Sequence, residues 1–152
     1  MNLRNRIDKV LGVFLIIIMS VIVINVLWQV FTRYVVGTPS SFTDELARYL
    51  MIWIGVLGAA YVSGKNMHVA IDVLPSKLNS KNKKILSRIV SAIIIAFVLS
   101  AMVIGGIRLV YLTYILEQHS PALQIPLALV YLVLPLSGLL IIFYKTSDLL
   151  NK

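Results

Sequence analysis

Cysteine is absent from the 152 residues. That excludes a disulfide framework, a thiolate nucleophile and any cysteine-ligated metal or cluster. Charge is scarce too: Asp, Glu, Lys and Arg make up 13% of the chain, against 59% apolar residues. So few charges cannot clothe a water-soluble domain of this size. With a mean hydropathy of +0.93, the chain reads as one integral membrane domain over 1–152. Acids are the scarcest group, 6 against 14 bases. The net charge of +8 would suit nucleic acid, yet the bases flank apolar runs instead of forming a basic face. No nucleic-acid partner is expected.

The missing chemistry narrows the function further. No GxxxxGK phosphate loop occurs, because the glycines are scattered. Both histidines, His68 and His119, lie in connections, where neither sits by a Ser–acid pair and neither can help hold a haem between helices. His68 and Asp72, four residues apart, could be a proton-responsive pair or half a metal site. Pinning a helix or loop is the plainer reading, since a structural zinc takes four ligands and nothing nearby completes the set. A proton or sodium carrier keeps an acid within the bilayer, whereas all six acids here lie at ends or edges of apolar runs. Arg108, near the outer end of the third run, can snorkel outward. Neither enzyme activity nor a cofactor is expected, and the chain looks unable to move a charged substrate alone.

What is present is four uncharged windows: Val10–Thr32, Tyr49–Gly64, Ile89–Ile107 and Gln118–Tyr144. About 20 helical residues cross the hydrocarbon core. With their flanks these windows predict spans over about 10–32, 44–64, 85–115 and 126–144. The fold class is therefore all-α with four transmembrane helices. The first run is too long for the apolar core of a cleaved signal and lacks a small-x-small site, so it reads as a retained anchor. Three bases precede span one, six fall in 65–88 and two in the tail, while the other two connections hold only Arg33. The positive-inside rule then puts both termini and the middle loop in the cytoplasm. Within that loop Ile71, Leu74 and Leu78 suit a short amphipathic helix in the inner interface, or equally an ordinary loop. Pro126 suits the first turn of span four, and Pro135 should kink it.

Polar side chains gather at the outer edge. Asp44 and Glu45 fall in the first turn of span two, where Ser41 or Thr43 can cap the helix and its dipole favours acids. Both acids can reach Arg48 on one helix face. Asn25, Gln29 and Arg33 form an i, i+4, i+8 stripe up span one and should seek partners across helices. A salt-bridged tie between spans one and two is the economical reading. Contact with a large partner subunit is the second, and a mere helix cap with a solvated ion pair the blandest. Gly55 and Ala59, with Gly58, make a small-xxx-small face that admits a close helix. The outer EQHSPALQIP segment, with two prolines, should be a stiff extended connection flanked by interfacial Tyr111, Tyr114 and Tyr131.

Three stretches together resemble a known family: FTRYVVGTPSSFTDELARYLMIWIGVLGAA at 31–60, HVAIDVLP at 68–75 and SPALQIPLALVYLVLPLSG at 120–138. Their order and spacing are similar to the small membrane subunit, DctQ type, of tripartite ATP-independent periplasmic (TRAP) transporters. Arg33, Tyr34, Asp44, Glu45, Arg48, Trp53, Gly58 and Ala59 match its first pattern, His68 and Asp72 the second, Ser120, Pro121, Pro126 and Pro135 the last. The resemblance implies a multi-pass protein of the bacterial inner membrane, in contact with lipid, a large multi-span subunit and a periplasmic substrate-binding protein. It implies a non-catalytic scaffold in sodium-driven uptake of an organic acid of the dicarboxylate, keto acid or sialic acid class. The competing readings are a self-contained four-helix exporter, which would need a carboxylate in the first helix, and a structural subunit of another membrane complex.

Overall fold

In lipid every backbone N–H and C=O must be satisfied within its own segment, so the apolar runs fold as helices. The computed structural model describes residues 3–38, 40–65 and 80–150. Among them four helical segments are long and apolar enough to cross a membrane: Arg4–Val36, Ser41–Gly64, Arg88–Ile115 and Leu127–Leu149. No strand occurs among the described residues. The protein is an all-α, multi-pass membrane protein. The amphipathic segment expected between spans two and three, with His68 and Asp72, falls outside the described residues.

Helix α1 (Leu3–Phe31) starts a turn or more before the expected span. It runs on through a wider π-helical turn, Thr32–Val36, and stops at Gly37 with φ +76°, a left-handed conformation open to a residue without Cβ. Leu11, Leu15, Ile18, Ile22, Asn25, Gln29 and Thr32 alternate steps of four and three. They form its buried or half-buried seam, packed on α2 (Ser41–Gly64). That 3.5-residue period is the knobs-into-holes geometry of paired helices.

The third span is one unbroken rod, as its length predicted. It comprises α3 (Ser80–Phe97), a π-helical stretch (Val98–Ile104) and α4 (Gly105–Ile115). Two glycines let this rod approach the fourth span closely. A Cβ on Gly106 would lie 3.0 Å from Pro135 Cδ, and one on Gly138 2.9 Å from Val103 Cγ2. The fourth span breaks in two, α5 (Leu127–Tyr131) and α6 (Val133–Leu150). The break follows from Pro135, which has no N–H to give the carbonyl of Tyr131 one turn earlier.

The core gathers Leu11 and Ile18 of α1, Leu57 and Ala60 of α2, Val98 of the rod, and Val133 and Ile141 of α6. Ser137 of α6 adds a cross-helix bond, its hydroxyl donating to the Val56 carbonyl at 2.7 Å. Most other large apolar side chains of α1 and α3 point outward, among them Ile16, Ile24, Leu27, Ile93 and Phe97. In water such a surface would aggregate; in a bilayer it is the ordinary contact with lipid or a membrane partner. The small-residue face at Gly55, Gly58 and Ala59 meets no helix among the described residues: a Cβ on either glycine finds nothing within 4 Å. The small residues that admit a neighbour are Ala60, next to Ala59, and Gly64, one turn further along.

Candidate functional site

Four spans bring the α1–α2 connection and the 116–126 connection to the same pole, away from the two chain ends. Here the polar stripe of α1 meets the start of α2. Buried Asn25 donates its Nδ2–H to the Thr43 carbonyl at 2.7 Å, and Gln29 Nε2 donates to Asp44 Oδ1 at 2.6 Å. The Thr43 hydroxyl donates back to Ser40 O at 2.8 Å, so it braces the turn before α2 without capping a free N–H. Inter-helical bonds of this kind are worth about 0.6 kcal/mol and up to about 1.7. Replacing Asn25 by leucine is expected to destabilise the protein by that amount, lowering its thermal midpoint in detergent. An unchanged midpoint would show the bond idle.

The tie between spans one and two is therefore made by neutral amides, and this corrects the expected salt bridge. Arg33 and Arg48 are exposed and form no ion pair with a described acid, whereas Arg4 pairs with Asp148 at the other pole. Asp44 turns toward Gln29 and Glu45 toward the neighbouring hairpin, so neither closes the expected pair with Arg48. A fixed amide with both ends in the helix interface costs less desolvation than a guanidinium brought to the same place.

Glu45 makes the main contact of this pole. Its carboxylate oxygen Oε2 accepts from the Ser120 hydroxyl and from the backbone N–H groups of Ala122 and Leu123, both at 3.1 Å. The 116–126 connection is a compact hairpin, not the extended strap that its prolines suggested. Ser120 N donates to Ile125 O at 2.9 Å, Gln124 N to Ser120 O at 3.0 Å and Leu127 N to Gln118 O at 2.9 Å. Glu117 (φ 47°) and Gln124 (φ 55°) take left-handed conformations to close it. Two successive N–H groups and a hydroxyl thus face one point and form a small anion-binding concavity. Glu45 fills it from α2, and Ser120 is wholly buried. Pro121 and Pro126 lie exposed on the hairpin, and Tyr34 stands exposed beyond α1. Trp53, deeper on α2, donates its indole N–H to Val130 O at 3.1 Å and so fastens α5.

The opposite pole holds a polar cluster that the sequence reading missed. Arg4 pairs with Asp148 Oδ1 at 2.7 Å and donates to the Gly64 carbonyl at 2.5 Å. The Tyr144 hydroxyl donates to Asp8 Oδ1 at 2.5 Å. The two chain ends and the end of α2 are fastened together. The one available signal was topological: an even number of spans returns both termini to one side, so acids and bases there can meet. Among the described residues no three His, Cys, Asp or Glu side chains gather as a metal site. The arrangement holds helices and presents a surface.

Known proteins resemble this chain in sequence. The family model of the DctQ component of tripartite ATP-independent periplasmic transporters matches residues 22–152. A Haemophilus influenzae protein described as a TRAP transporter small permease is 29% identical over 92% of this chain and 85% of its own length. The sialic acid TRAP transporter small permease SiaQ of Vibrio cholerae is 25% identical over 98% of this chain and 84% of its own. The isethionate TRAP transporter permease DctMQ of Oleidesulfovibrio alaskensis is 26% identical over 91% of this chain, but only 23% of its own length is covered.

Proposed function

The chain belongs to the DctQ family of tripartite ATP-independent periplasmic transporters, and from that premise we propose that it is the scaffolding subunit of a three-part importer in the bacterial inner membrane. Family membership makes it a transport component and not an enzyme, and sets aside the four-helix exporter. In this reading it holds a large, sodium-coupled membrane subunit in place. Its outer pole forms part of the platform on which a periplasmic binding protein delivers an organic anion.

The observation that carries the reading is the Glu45 latch. The acid beside the membrane is spent on holding a hairpin, and the described spans keep no carboxylate at mid-depth for an ion or substrate. A large partner is supported by DctMQ, where the stretch similar to this chain is under a quarter of one longer permease. The names of the relatives, C4-dicarboxylate, sialic acid and isethionate, favour organic anions as the class.

Proteoliposomes test the proposal. Vesicles with the large subunit, this chain, external binding protein and an inward sodium gradient should accumulate substrate. Vesicles with this chain alone should carry none. Uptake by the large subunit and binding protein at full rate without this chain would refute the scaffold.

A further inference from the structure

Arg108 lies within the third span and is exposed. It lies eight residues before Leu116, where the rod ends. At 1.5 Å per residue that is about 12 Å of helix below the outer turn. Its neighbours on the exposed face are Ile104, Ile107, Tyr111 and Leu112, so the guanidinium stands on an apolar wall. Charged residues at such positions pair with one another, face a partner or snorkel to the interface.

Among the described residues no acid gives Arg108 a counter-charge. Asp44 is held by Gln29 and Glu45 by the hairpin. Asp8 and Asp148 are engaged at the opposite pole. Glu117 stands nearest along the chain, nine residues on, but it is exposed on the outer turn and makes no ion pair with Arg108. Beside Arg108 runs an apolar groove of about 570 Å³ between α4 and the kinked fourth span, with Ile107, Tyr111, Tyr114, Leu129, Leu132 and Pro135 on its walls.

We infer that Arg108 and this groove seat a transmembrane helix of the large subunit that carries an aspartate or glutamate at the level of Arg108. The inference rests on the scaffold reading and adds to it which face is used and what chemistry the partner must bring. The groove supplies apolar burial and the guanidinium supplies register. An unpaired acid in the partner helix would be as unfavourable in lipid as an unpaired arginine, so each corrects the other.

The test is recovery of the large subunit with tagged wild-type chain, Arg108→Lys, Arg108→Leu and Arg108→Glu, all from membranes in mild detergent. Wild type and the lysine variant should recover it in equal amount, and the glutamate variant at least about tenfold less. Changing the partner acid to arginine should restore recovery with Arg108→Glu. Because the chain has no cysteine, Tyr111→Cys gives a second measurement that leaves Arg108 intact: it should cross-link to a cysteine placed one turn from the partner acid. Undiminished recovery with Arg108→Glu and Arg108→Leu, with no such cross-link, overturns the inference while the scaffold reading stands. The same undiminished recovery with loss of a bound phospholipid would assign the counter-charge to a lipid phosphate, and also overturns it. If wild type recovers no large subunit, the scaffold reading fails and this inference with it.

Discussion

Replacing Glu45 by alanine should release the 116–126 hairpin while leaving the four helices in place. The carboxylate is the common acceptor for Ser120 Oγ–H, Ala122 N–H and Leu123 N–H, and no other acid reaches that point. Without it the two backbone donors turn to water, and the 120–123 turn loses its link to α2. Amide exchange at Ala122 and Leu123 should accelerate by about tenfold or more, with exchange in α2 and α6 unchanged. If the chain has the proposed function, uptake by the assembled transporter should fall together with affinity for the binding protein. Glu45→Gln should be milder, since its amide keeps one acceptor oxygen but presents an N–H₂ to a ring of donors. Glu45→Lys should be worst, placing a cation against those donors. Equal exchange in wild type and Glu45→Ala would show that the hairpin holds itself.

The second large effect is expected at Gly64. A Cβ there would lie 2.7–2.9 Å from three atoms of the Tyr144 ring, inside any real contact distance. Tyr144 cannot retreat easily: it is wholly buried, its hydroxyl is held by Asp8, and the Arg4 guanidinium lies 5.6 Å over its ring. Overpacking of this kind costs about 1–3 kcal/mol. In Gly64→Ala it also strains the Arg4–Gly64 bond that closes the inner pole. The thermal midpoint in detergent should drop clearly, and the chain should become more open to protease at its ends. Tyr144→Phe leaves the ring in place and should not relieve the defect. Tyr144→Ala, harmful alone, should make the Gly64→Ala change nearly silent. That non-additivity reads the contact directly, and strictly additive losses would show the two residues independent.

Much of the architecture was legible in the sequence because membrane insertion depends on coarse properties. Four long apolar windows, the asymmetry of lysine and arginine, and Pro135 gave the span count and the break in span four. Asn25 and Gln29 were legible as cross-helix donors because polar side chains in an apolar helix need partners. Their acceptors were not. Asn25 takes a backbone carbonyl, and Gln29 takes the acid that simple i, i+4 spacing had given to Arg48. Spacing along one helix ranks only the neighbours on that helix, and a donor from an adjacent span outcompeted them.

The hairpin shows the same limit from the other side. Two prolines in SPALQIP describe a stiff segment, but whether it stretches or folds depends on what fills its concavity. That is Glu45, 75 residues away from Ser120. The inner cluster depends on still longer range, with Arg4 and Asp148 separated by 144 residues. Gly64 carried no local sign either. Gly55 and Ala59 fit the small-xxx-small pattern just as well, yet the helix rotates them outward and turns Ala60 and Gly64 toward α6.

The scaffold claim is tested most directly by what travels with the chain. Tagged at one end, extracted from native membranes in mild detergent and identified by mass spectrometry, it should arrive with a much larger multi-span protein in equal amount. Recovery alone, or only with copies of itself, would contradict the account and require a carrier that works without an acid in its spans.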